Sequence, residues 1–158
     1  MFKTVIWATD GSESADEALP FAKGLVEAAD GQLVVVHSNE LYVGSRAAGL
    51  PVHADEDELQ VKLQRQVAGL REEDIDVALE LVVGVSAQAA HMIADVAREV
   101  DADVIVVGTR GHGPIAGVLV GSVTQRLLHI APCPVLAVPS VKQRAKRAAT
   151  REHVATTA

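Results

Sequence analysis

Five short apolar runs alternate with segments of helical period along most of this chain, and that alternation limits the fold more than any other feature. Lys3 to Thr9 (KTVIWAT) is β-branched and apolar on both faces, the pattern of a strand in the middle of a sheet. Leu33 to His37, Val77 to Val83, Val104 to Val107 and Val135 to Val138 repeat it, and Glu80 in the third run predicts an exposed edge. Between the first two runs, Ala15, Ala18, Leu19, Ala22, Leu25, Val26 and Ala29 recur at helical offsets. Ser14-Ala15-Asp16-Glu17 reads as a capping box for that helix, and Pro20 predicts a bend or a displaced helix start. Asp55 to Glu58 open a second helix with four acids at its positive end, and Leu59, Leu63, Val67 and Leu70 form its buried stripe. Ser86 is the expected cap of a third helix, with Ala89, Ala90, Ile93, Ala94, Ala97 and Val100 facing inward. Ser122 to Ile130 make a fourth, stopped by Pro132 and Pro134. Residues 38–54 lack any period and hold Gly44, Gly49 and Pro51, so they are expected to form a long loop of the kind that often serves binding.

The order βαβαβαβαβ implies an α/β fold, a five-stranded parallel sheet with helices on both faces. Right-handed crossovers cover both faces only if the chain reverses its travel across the sheet. With the fourth strand returning beside the first, the strand order is 3-2-1-4-5. Ligands of such folds bind at the switch point, here between Asp10-Gly11 and the loop that starts at Gly108.

A length of 158 residues suits one domain, and 49% apolar with 22% charged residues excludes general disorder. Only Phe2, Trp7, Phe21 and Tyr42 are aromatic, which argues for an aliphatic core and against stacking platforms for single-stranded nucleic acid. One cysteine, Cys133, excludes an intrachain disulfide and any multi-cysteine metal site. No run reaches membrane-spanning length, and the apolar stretch after Lys3 is too short for a signal peptide, so a cytoplasmic protein is expected. Residues 140–158 carry Lys142, Arg144, Lys146, Arg147 and Arg151 against Glu152, a net +4 that leaves −11 on the other 139 residues for an overall −7. The acidic body speaks against nucleic-acid binding. The basic stretch lacks apolar periodicity and reads as a mobile tail beyond a domain of residues 1–139.

The stretch from Gly108 to Ser122, GTRGHGPIAGVLVGS, has the spacing G-x2-G-x9-G-S and leads straight into a helix. Glycines let backbone amides approach an anion, and a helix start adds free N–H groups and a positive dipole end. Arg110 and His112 add charge or hydrogen bonds for a phosphate. Branched side chains at Gly111 or Gly121 would crowd the phosphate and resist a positive φ. The plainer alternatives are turn glycines, a helix-capping Ser122 and a solvated Arg110. Asp10 would repel phosphate but can accept from ribose hydroxyls or an adenine amine; alternatively it stabilises an Asp-Gly turn. Val36 is either a surface for the adenine or a core residue. His37 reads as a polar strand end, and His53, His91, His129 and His153 show no ligand spacing.

Two segments, VIWATDGSESADEAL and VIVVGTRGHGPIAGVLVGSVTQRLLHIAPCPVLAVP, closely resemble the first strand and the C-terminal motif of the universal stress protein family. The resemblance covers residues 1–139 apart from 38–54, and Ser86 stands where many members have proline. It implies a Rossmann-like, adenine-nucleotide α-hydrolase-like domain that binds ATP, with or without Mg2+, and pairs as a homodimer. The site it implies comprises Ala8, Thr9, Asp10 and Val36 on one side, and Gly108, Arg110, Gly111, His112, Gly121, Ser122 and Val123 on the other. An apolar, uncharged edge at residues 134–139 is the expected dimer seam.

Catalysis has less support. No G-x4-G-K-S/T is present, and Asp101 and Asp103 flank the wrong end of the fourth strand. Val83-Gly84 and Val138-Pro139 stand where a receiver domain needs its aspartate and lysine. Three functions stay open: an ATP-binding stress-response sensor or regulator, a slow ATPase or phosphoryl-transfer enzyme, and a dimeric scaffold with a vestigial site.

Overall fold

The computed structural model describes residues 2–41, 53–85, 88–110, 120–141 and 145. Its elements run β1 (Thr4–Ala8), α1 (Glu13–Asp16), α2 (Leu19–Ala29), β2 (Gln32–Leu41), α3 (His53–Glu72), β3 (Asp76–Val85), α4 (Ala89–Glu99), β4 (Val104–Gly108), α5 (Ser122–Ile130) and β5 (Val135–Val138). The five strands form one parallel sheet in the order β3-β2-β1-β4-β5. That is the arrangement expected with the fourth strand returning beside the first, the reversal being what the crossover rule requires.

The strands are apolar on both faces because both faces are covered. On one, Val5, Trp7, Leu33, Val35, Val104 and Val106 pack with Ala22 and Val26 of α2 and Val67 and Leu70 of α3. On the other, Ile6, Ala8, Val34, Val36, Ile105 and Val107 meet Ile93 and Ala97 of α4 and Leu127 of α5. Trp7 is the largest wholly buried side chain, and its Nε1 donates to the Ala15 carbonyl at 2.9 Å, so the bulk of an indole is accommodated without an unpaired donor. Edge position leaves Glu80 of β3 exposed.

Several local readings need correction. The helix expected over 15–29 is two helices: α1 ends with Glu17 as its cap, and α2 restarts at Leu19 with Pro20 in its first turn, where a missing N–H costs nothing. The cap is Ser12, whose hydroxyl accepts from the Ala15 N–H at 3.3 Å, and not Ser14, which is buried against the end of β4. β2 does not stop at His37. It pairs with β3 from His37–Leu81 to Leu41–Val85, beyond the point where β1 ends at Ala8, so the loop assigned to 38–54 begins as strand. α3 starts at His53, ahead of the acids. The cap position of α4 is Gln88, without a side-chain cap bond; Ser86 lies outside the described residues. Among the described residues, no helix is long and apolar enough to cross a membrane. Most of the tail also lies outside the described residues, apart from Ser140, Val141 and Ala145; the Val141 N–H donates to Glu17 Oε2 at 2.6 Å.

Candidate functional site

At the carboxyl end of β1 the chain turns by a relay of short-range hydrogen bonds. Thr9 Oγ1 accepts from the Gly11 N–H at 3.0 Å, Asp10 Oδ1 accepts from the Ser12 N–H at 3.0 Å, and Ser12 then caps α1. Gly11 has φ +76°, where a side chain is strained. The self-stabilised Asp-Gly turn is therefore present, and it leaves the second carboxylate oxygen of Asp10 outside that turn bond.

α1 is wedged between the ends of β1 and β4. A Cβ at Gly108 would lie 2.5 Å from the Ser14 carbonyl oxygen, and the Ser14 hydroxyl accepts from the Arg110 N–H at 3.3 Å. The first glycine of the motif is thus required by the approach of a neighbouring helix, whatever it does for a ligand. Thr124 Oγ1 donates to the Gly108 carbonyl at 2.8 Å, and the Gly121 N–H donates to the Thr109 carbonyl at 2.6 Å. Together they bring the first turn of α5 back to the end of β4.

Gly121 is the N-cap of α5 with φ −65°, so the positive φ expected there is corrected to an ordinary extended cap geometry. The first helical closure runs from the Gln125 N–H to the Gly121 carbonyl at 2.9 Å. Ser122, Val123 and Thr124 therefore have no acceptor within the helix for their N–H groups.

Between the two strand ends is a cavity of about 480 Å³. Eight residues of the expected site line it: Ala8, Thr9 and Asp10 from the β1 side, and Gly108, Arg110, Gly121, Ser122 and Val123 from the β4 side. Gly111 and His112 lie outside the described residues. Val36 is wholly buried in the core and is absent from the cavity wall. Along β2 the side chains that point to this face alternate, and the next one up is Ser38, which does line the cavity. Among the described residues, its Oγ is buried without a hydrogen-bond partner. A strand ending at His37 would not place Ser38 there; the pairing of β2 with β3 beyond His37 does. Ala89 and Ile93 add an apolar wall from one face of α4, and Thr124 and Gln125 extend the α5 side; helical spacing marked Ala89 and Ile93 as inward-facing but not which of them reach a cavity.

Chemically, the cavity has an anion-attracting side and an acceptor side. The α5 N-terminus, the Ser122 hydroxyl and the Arg110 guanidinium suit a phosphate. Asp10 and the unpartnered Ser38 hydroxyl suit neutral donors and acceptors, and Ala8, Ala89 and Ile93 suit an apolar ring. Among the described residues no group of three or more His, Cys, Asp or Glu side chains converges as a metal site would require.

The sequence profile of the universal stress protein family matches residues 1–139. A universal stress protein of Thermus aquaticus, encoded 3′ of a QAH/OAS sulfhydrylase, is 33% identical over 146 residues, covering 87% of this chain and 99% of that protein. The structure of a universal stress protein from Archaeoglobus fulgidus in complex with dAMP matches with TM-score 0.62 and 29% identity, over 87% of this chain and 97% of that one. A universal stress protein in complex with cAMP matches with TM-score 0.57 and 28% identity, again over 87% and 97%.

Proposed function

The chain belongs to the universal stress protein family, and from that footing we propose that it binds ATP in the cavity between β1 and β4 and acts as a cytoplasmic regulator of a stress response. The observation that carries this reading is the division of the cavity: N–H groups without an acceptor in the helix, Ser122 and Arg110 on one side, and Asp10 with the Ser38 hydroxyl, unpartnered among the described residues, on the other. That division matches a molecule with a phosphate end and a sugar–base end. The dAMP and cAMP carried by the two relatives have the same two ends.

In this reading the triphosphate meets the α5 N-terminus and the Gly108–Ser122 loop, and Asp10 accepts from the ribose or the adenine amine. Where Mg2+ accompanies ATP, the phosphate oxygens would hold it. The nucleotide-binding body spans residues 1–139, and the basic stretch 140–158 takes no part in binding. Two copies pair through residues 134–139, a reading supported by the edge position of β5 and the 38% exposure of Leu136.

Titration calorimetry with ATP, ADP, GTP and adenosine tests the site. Gly121→Val, whose φ valine tolerates, should abolish ATP binding through bulk alone. Arg110→Ala should weaken ATP more than it weakens adenosine. Asp10→Ala should weaken both by about tenfold, the consequence of one or two lost hydrogen bonds. ATP affinity unchanged in folded Gly121→Val and Arg110→Ala would remove the site, and multiple-turnover hydrolysis would favour an enzyme instead.

A further inference from the structure

We propose that His37 is a positioning residue for this cavity: its Nδ1 fixes the Thr9 carbonyl, and its contact with Glu56 makes the setting of the Thr9–Gly11 turn depend on how α3 is seated. The inference deepens the nucleotide-site reading and rests on it for the effect on affinity alone. His37 is buried, 4% exposed, at the level where β1 has ended and β2 continues. Its Nδ1 lies 2.9 Å from the Thr9 carbonyl oxygen, and a carbonyl only accepts, so Nδ1 is the donor. The Thr9 carbonyl and the Asp10 N–H belong to one planar peptide unit. Holding that carbonyl therefore sets the direction in which the Asp10 residue leaves β1, and Thr9 and Asp10 both line the cavity.

The other ring nitrogen faces α3. Nε2 lies 3.1 Å and 3.3 Å from the two oxygens of Glu56, and Gln60 donates to the same carboxylate at 3.2 Å. Further along α3, the Leu59 side chain packs over Gly11, at the place where a Cβ on that glycine would collide with it. Lys62 Nζ donates to the Gly11 carbonyl at 2.8 Å and pairs with Asp16 at 2.5 Å, and Gln66 donates to Asp16 at 3.0 Å. Positions 56, 59, 62 and 66 fall at intervals of three and four, so one face of α3 meets the whole β1–α1 corner. The cavity is on the opposite side of that corner. Whatever affinity a ligand gains from an ordered turn, α3 gains in seating, because coupling between two sites is reciprocal. α3 is thereby one element whose seating responds to occupancy.

Three substitutions in the full chain separate the two bonds of the ring. His37→Asn keeps a donor at the Nδ1 position, His37→Gln reaches toward Glu56 without it, and His37→Ala has neither. Calorimetry should find ATP bound about tenfold more weakly by the Gln and Ala variants and restored by Asn to about twofold of the wild type. Amide exchange without ligand should be faster from Gly11 to Ala15 in the Gln and Ala variants than in Asn. Equal affinity and equal turn exchange across the three, whatever their melting temperatures, would overturn the positioning role. Glu56→Ala should also speed exchange at Gly11; an unchanged rate would overturn the α3 half. A wild type that binds no ATP would remove the nucleotide reading, and the exchange comparison without ligand would still decide for or against His37.

Discussion

Gly108 and Gly84 both lie near the ends of strands, yet a methyl group at each would meet a different obstacle. At Gly108 the neighbour is the backbone carbonyl of Ser14, 2.5 Å from the new Cβ, and α1 cannot retreat without breaking the corner it makes with β1. At Gly84 the neighbours are the Sδ and Cε atoms at the far end of Met92, which can change rotamer. Gly108→Ala should therefore lower unfolding free energy by about 1–3 kcal/mol and Gly84→Ala by less than about 1 kcal/mol, measured by urea denaturation. The reverse order would contradict this packing. A third residue contributes to the acid dependence of stability. Asp103 accepts from the Thr4 and Lys3 N–H groups at 2.9 Å and 2.6 Å, and these bonds, that of Thr4 foremost, hold its carboxyl below the ordinary carboxylate range. A carboxyl depressed by folding contributes stability above its unfolded pKa and loses it as pH falls through the folded one. Asp103→Asn should lower stability near neutrality and flatten its decline with acid; parallel curves of urea midpoint against pH would refute the role.

Among the elements, three of the four returns from helix to strand share one device, the return from α5 through Ala131 being extended. Asp30 after α2, Asp74 after α3 and Asp101 after α4 take φ of 48°, 60° and 50°, a region that aspartate enters more readily than other side chains. Asp74 is exposed, so its backbone conformation can be tested apart from packing. Asp74→Val should cost about 1–2 kcal/mol and Asp74→Gly should be neutral or stabilising, read from thermal melts. Periodicity made these elements legible, because a buried face repeats every 2 or about 3.6 residues whatever surrounds it. Their ends were less so. Ser38, Asn39 and Glu40 look like loop, but pairing with β3 draws them into β2, since backbone groups pair regardless of side chain. Pro20 left a bend and a restart equally open, and only the position of α1 against β4 decided for the restart.

For the whole molecule, the β5 edge, unpaired among the described residues, and the basic tail make separate demands. Leu136→Lys should shift sedimentation from dimer toward monomer while the fold is retained; a dimer that persists would put the seam elsewhere. Removing residues 142–158 keeps the Val141 N–H bond to Glu17 and should leave melting and ATP affinity unchanged. A large drop in melting would show that the tail docks on the body. The sequence by itself determined the alternation of strands with helical segments, the parallel sheet and, with the fourth strand returning beside the first, its 3-2-1-4-5 order, which sets Asp10 and Gly108 at neighbouring strand ends. Those follow from local periodicity and from the handedness of crossovers, neither of which depends on side-chain distances. Tertiary structure alone decided that Ser38 and not Val36 reaches the cavity, that Gly108 answers to Ser14, and that α3 sits on the Thr9–Gly11 turn through His37, Leu59 and Lys62. Each of those depends on separations of a few ångströms between residues far apart in the chain, and close packing settles such separations only once every neighbour is in place.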